Sequence, residues 1–155
     1  MEIKSFDSLS EKQQSLLLAA EDAMKNAFNP NSEFHVGGAV RTQNGKIFRG
    51  ANMNVSSVGL IACAEVAAFL TANTEGEKVY EAIAIIGKDG EKAVTEPNVP
   101  CGKCCQIIHE FNQINGTDME MIYSNTNKDK VIVGKVSDFF PHPFVSSLFR
   151  NKMPV

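Results

Sequence analysis

Two short stretches constrain this 155-residue chain more than any other feature: Cys63-Ala64-Glu65 and Pro100-Cys101-Gly102-Lys103-Cys104. Each reads as the opening of a helix. Cys101 and Cys104 stand three apart, so the first turn of a helix carries both sulfurs to one side. Pro100 suits a helix start, where its missing N–H costs nothing. Cys63 supplies a third sulfur from a distant segment. Two helices would then aim their N-termini at one point, bringing positive dipole ends to a thiolate-rich site. Three thiolates leave one corner of a tetrahedral zinc open, as in a catalytic rather than a structural centre. Glu65 lies two residues from a ligand and is not needed as one. A carboxylate beside a metal-activated water is what hydrolytic proton transfer requires. The alternatives are a structural zinc knot closed by Cys105, and a Glu65 that merely favours the helix dipole. Cys104 and Cys105 are neighbours, and neighbours on a helix point in different directions, which weakens the knot.

Composition narrows the partners. The formal charge is −3, and no Lys/Arg cluster forms a basic stripe, which argues against nucleic acid. The start Met1-Glu2-Ile3-Lys4 does not read as a signal peptide, and the run Leu16 to Ala20 is too short to span a membrane. The expected location is therefore cytoplasmic. In that compartment four cysteines are metal ligands sooner than disulfides.

In chain order, Ser8-Leu9-Ser10-Glu11 has capping-box spacing, and Leu9, Leu16, Leu17, Ala20, Met24 and Phe28 follow a helical period. A helix is expected from about Ser10 to Asn26, ended by Asn29-Pro30. A hairpin follows, with strands His35–Thr42 and Lys46–Ala51 about the turn Gln43-Asn44-Gly45. Gly37 and Gly38 leave a strand face bare for close approach of backbone or ligand. Ala62 to Asn73 reads as a central helix, apolar nearly all round. The unbroken run Ala82 to Ile86 marks a strand over Tyr80–Gly87, buried on both faces. The second cysteine helix spans Cys101 to Phe111. Met119–Tyr123 and Val131–Val133 are strands, and Val136–Phe140 is a short helix. With no repeat or linker, residues 1–155 form one expected domain: a three-layer α/β/α sandwich around a mixed sheet of about five strands.

The pair C-A-E and P-C-x-x-C resembles the zinc-dependent cytidine deaminase family in its small all-cysteine form. The likeness extends to Phe34-His35-Val36-Gly37-Gly38-Ala39, Gly50-Ala51-Asn52 and the tail from Pro141 to Phe144. It implies the α/β/α fold, one zinc per chain on Cys63, Cys101 and Cys104, and Glu65 as the catalytic acid–base. It also implies a substrate set. Phe34 would line the pocket, Asn52 and Asn54 would face the ribose, Ala64 would border the substrate, and Phe144 would reach a neighbouring subunit's pocket. Members of this form are usually homotetramers. The implied reaction converts a cytosine nucleoside, cytidine or deoxycytidine, to its uracil counterpart plus ammonia. Four positions depart from the family pattern. Asn54 replaces a glutamate, Val58 a tyrosine, Cys105 an arginine, and Val66 a second arginine. The stretch His35 to Thr42 and the altered ribose motif also resemble blasticidin-S deaminases, which act on a cytosine-bearing antibiotic. A zinc-stabilised protein that only binds nucleosides or partners is the remaining alternative, and an intact Glu65 argues against it.

Overall fold

The structure, a computed structural model, describes residues 1–145. One sheet contains six strands: β1 (Glu2–Lys4), β2 (Phe34–Thr42), β3 (Ile47–Ala51), β4 (Tyr80–Asp89), β5 (Glu120–Ser124) and β6 (Val131–Lys135). Their order is β1-β6-β5-β4-β2-β3, and β4–β5 is the parallel pair among antiparallel neighbours. The extra strand relative to the expected five is β1. Its three residues are too few to show a period, and its pairing with β6 is a contact between the two ends of the described chain.

The helices are α1 (Glu11–Met24), α2 (Ala64–Thr74), α3 (Gly102–Asn115) and the short α4 (Val136–Phe139). The apolar run of β4 explains the layering. Successive side chains on a strand alternate between faces. Ala82, Ala84 and Ile86 join Leu16, Leu17 and Ala20 of α1 in one cluster. Ile83 and Ile85 join Ala68 and Phe69 of α2 and Ile108 of α3 in the other. Helices thus cover both faces, as the continuous hydrophobic strand requires.

Close approach is paid in glycine. A Cβ on Gly37 would lie 1.9 Å from the Ala20 carbonyl oxygen of α1, and one on Gly50 would lie 2.1 Å from the Ala68 nitrogen of α2. Helix backbone therefore fills the bare hairpin on both faces, α1 against Gly37 and α2 against Gly38 and Gly50.

Four local expectations are corrected. The capping box of α1 is Ser10 with Gln13, each side chain bonding the other's backbone N–H at 3.0–3.3 Å. Ser8 instead closes a turn on Ser5, because the helix begins later than its acidic residue suggested. Pro100 lies one residue outside the helix, since Cys101 itself is the N-cap of α3. Helix α2 is not buried all round: Ala64, Glu65, Ala68, Phe69 and Ala72 face inward while Leu70 is 58% exposed. Helix α3 also runs past Phe111 to Asn115, where Gly116 takes the left-handed conformation that ends helices (φ +61°).

Candidate active site

The parallel pair positions the site. β4 leads through a loop into α3, and α3 returns to β5, so the N-terminus of α3 stands above the C-terminal ends of both strands. Clefts form at this edge of α/β sheets. Helix α2 starts at the same place, packed over β2 and β3 through Gly38 and Gly50. Cys63 and Cys101 occupy equivalent posts as the N-caps of α2 and α3, both in extended backbone. Cys104 follows in the first turn of α3.

The three sulfurs lie within 4.8 Å of one another, and those of Cys101 and Cys104 are 3.5 Å apart. Zn–S bonds of about 2.3 Å put tetrahedral sulfurs roughly 3.8 Å apart, so this donor set fits zinc in size and in softness. Cys105 is outside the group. It is buried, with its sulfur 3.9 Å from the Pro100 carbonyl. The three sulfurs run from exposed to buried, Cys101 outermost and Cys104 innermost at 1% exposure, so the group is open on one side.

Electrostatics follow from this crowding. Hydrogen bonding from Cys104 brings the Cys63 thiol down to about 6 against the opposing effect of burial, with Cys101 and the charge of Lys103 assisting. The same contact with Cys63, then burial, pushes the Cys104 thiol far above the ordinary range. Binding a metal to all three sulfurs must release whatever protons they hold. Glu65 is the second helical residue of α2 and only 5% exposed. Burial pushes its carboxyl above the usual carboxylate range, and the nearby Cys63 charge adds to this. A carboxyl whose proton affinity is raised in this way is suited to hold and return a proton.

A cavity of about 260 Å³ opens over these groups. Phe34, Asn52, Asn54, Cys63, Ala64, Glu65, Cys101 and Cys104, all singled out from the sequence, border it together. Phe34 begins β2, and Asn52 and Asn54 follow β3, so they form the wall opposite α3. The side chain of Asn52 is already engaged. Its Oδ1 accepts from the Val36 N–H at 2.8 Å, and its Nδ2 donates to the Phe34 carbonyl at 3.0 Å. The Asn54 side chain makes no hydrogen bond among the described residues, although its backbone N–H donates to the Phe28 carbonyl at 2.7 Å. Phe144 stands apart from the cavity. It is 70% exposed, with its backbone N–H and carbonyl both bonded to the Gln106 amide. Ile85, Asn98 and Val99, which no sequence motif marks, also line the cavity. The signal available for Asn98 was its place three residues before Cys101.

Residues 10–117 match the family described as the cytidine and deoxycytidylate deaminase zinc-binding region. A cytidine deaminase of Sporosarcina psychrophila is 35% identical over 98 residues, 63% of this chain and 68% of that protein. One of Halalkalibacterium halodurans is 37% identical over 98 residues, 63% of this chain and 70% of that protein. The crystal structure of cytidine deaminase from Burkholderia pseudomallei superposes with a TM-score of 0.75 at 32% identity, covering 88% of this chain and all of that one.

Proposed function

The chain belongs to the cytidine and deoxycytidylate deaminase zinc-binding family, and on that premise we propose how its cavity carries out the hydrolytic deamination of cytidine to uridine and ammonia. The observation that carries this reading is the convergence of three sulfurs and one buried carboxyl on a single cavity. Zinc held by Cys63, Cys101 and Cys104 supplies Lewis-acid activation of water at neutral pH.

The remaining steps belong to the protein. Glu65 takes the proton that water gives up as its oxygen adds to the amine-bearing carbon, and passes it to the adjacent ring nitrogen. Protonating the ring during attack avoids building a ring anion. Glu65 then moves the proton of the new hydroxyl to the amine, which leaves as ammonia while the carbon becomes a carbonyl. Its raised affinity for protons, a result of burial, suits a group that must hold one between these transfers.

Phe34 packs against the base, and Ala64 borders it at the start of α2. Asn52, bonded to β2, braces the Phe34 end of this wall beside the sugar, and Asn54 offers the sugar an uncommitted amide. The chain assembles as a homotetramer in the cytoplasm, and Phe144 enters a neighbouring subunit's pocket. Exposed Val58, Leu60, Val99 and Phe144 support such an assembly, since apolar surface of this kind is covered in oligomers. Among the described residues, no helix is long and apolar enough to cross a membrane. The relatives support cytidine and lend nothing to the antibiotic reading.

Ammonia release from cytidine and deoxycytidine by the zinc-loaded chain tests the proposal, with light scattering of the same sample reporting the assembly. Zinc-dependent release is expected. Stoichiometric zinc with no release from either nucleoside would overturn it.

A further inference from the structure

The two walls of the cavity differ in which polar groups they leave free. On the strand side the Asn52 amide is spent on the backbone of β2. On the metal side stands Asn98, whose side chain makes no hydrogen bond among the described residues. Its placement is nonetheless tightly determined. The Asn98 N–H donates to the Ser124 carbonyl at the end of β5, at 3.3 Å. Thr126 ties the preceding loop to the end of β4, donating to the Gly87 carbonyl at 2.7 Å and accepting the Val94 N–H at 2.8 Å.

Gly87 supplies the seat. A Cβ there would lie 1.7 Å from Asn98 Nδ2, 2.9 Å from its Cγ and 3.5 Å from its Oδ1. The carboxamide nitrogen thus rests on the glycine, and the oxygen is the atom held away from the sheet. A fixed polar atom at a cavity wall without a protein partner is a group waiting for a ligand donor, because leaving it unpaired on binding is costly.

We infer that Asn98 is a substrate-binding residue whose Oδ1 accepts a hydrogen bond from the exocyclic amine of the base. The inference rests on the deaminase reading of the same cavity. The amine-bearing carbon must face Glu65 and the sulfurs for the reaction to occur, and Asn98 lies three residues from Cys101 on that side. The chemistry is also directional. The substrate presents an N–H donor at this position, whereas the product presents a carbonyl, which an amide oxygen repels. Asn98 therefore favours cytidine over uridine and helps the product leave.

The test uses the zinc-loaded full chain carrying Glu65→Gln, so that turnover is slow during the measurement, and calorimetric affinities for cytidine and uridine. Adding Asn98→Leu, similar in shape and without polar atoms, should cut the preference for cytidine by about fivefold or more, the worth of one neutral hydrogen bond. Most of the change should fall on cytidine. Adding Asn98→Asp, which keeps an acceptor, should retain the preference. An unchanged preference in Asn98→Leu would overturn the inference. If that variant does not fold, loss of the preference in Asn98→Asp does so. Failure of the unsubstituted zinc-loaded chain to release ammonia from either nucleoside would overturn the deaminase reading and this inference with it.

Discussion

The two walls of the cavity are built on different principles. The metal wall uses the ends of α2 and α3. Its cysteines sit at N-caps and in a first helical turn: local backbone pairs Cys101 with Cys104, and the packing of α2 beside α3 brings Cys63 to them. The strand wall uses side chains that follow β3, and their roles depend on what the neighbouring strand leaves unpaired. Helix ends position groups through local backbone, so few alternatives exist for each residue. Strand-end loops position groups through cross-strand hydrogen bonds, so the same residue type can be structural at one position and free two residues later. Substitution should accordingly be all-or-none on the first wall and graded on the second.

The sharpest break is expected at the ligands. Cys104→Ser should lose stoichiometric zinc and all measurable deamination, because a buried corner of the donor set disappears. Cys105→Ser, whose sulfur lies outside the cluster, should keep one zinc per chain. Metal analysis of both proteins distinguishes a three-sulfur centre from a closed knot. Equal zinc loss in the two would remove the comparison's first half.

Glu65→Gln comes next. It should keep fold and zinc while turnover falls by roughly 100- to 10,000-fold, the usual contribution of a general acid–base group. Steady-state rates beside metal content are the measurement. Retention of a tenth of the normal rate would place proton transfer elsewhere.

On the strand wall, Asn52→Ala should act mainly on the fold. It strips the Val36 N–H and one of the bonds to the Phe34 carbonyl, and an unsatisfied buried group costs about 1–3 kcal/mol. Denaturant unfolding should show that loss, together with a raised KM as Phe34 loses its anchor. A stable Asn52→Ala protein with only a KM defect would mean that Asn52 serves substrate alone.

The smallest expected effect is at Asn54. Restoring a carboxylate by Asn54→Glu should strengthen a sugar contact, since a charge-assisted hydrogen bond is roughly twice a neutral one. KM for cytidine should fall by up to about tenfold, equivalent to roughly 1.4 kcal/mol. The control is a cytosine compound lacking the sugar hydroxyl. An equal change for both compounds would show that Asn54 does not read the sugar.

Much of this molecule was legible before its three-dimensional arrangement. The hairpin about Asn44-Gly45, the two-sided burial of β4 and the helix starts at the cysteines all rest on neighbours within a few residues, where spacing and propensity decide. The pairing of Cys101 with Cys104 was equally legible, because three apart on a first turn means one side of a helix; Cys63 joins them only through the packing of α2 and α3. Legibility failed where a residue's local surroundings matched two outcomes. Gly37 could have met backbone or ligand, and only the descent of α1 onto β2 settled it. Ser8 and Ser10 both had capping chemistry, and the onset of α1 chose between them.

By itself, then, the amino-acid order determined the same-side pairing of Cys101 with Cys104, the carboxyl two residues after Cys63 and the alternation that wraps helices around a sheet, because each is set by bonds and periods along the chain. Tertiary structure alone decided which amide is consumed and which is free. Asn52, Asn54 and Asn98 are the same residue with the same hydrogen-bonding capacity. They differ only in whether β2, or Gly87 and the end of β5, lies against them, and those partners are remote in sequence.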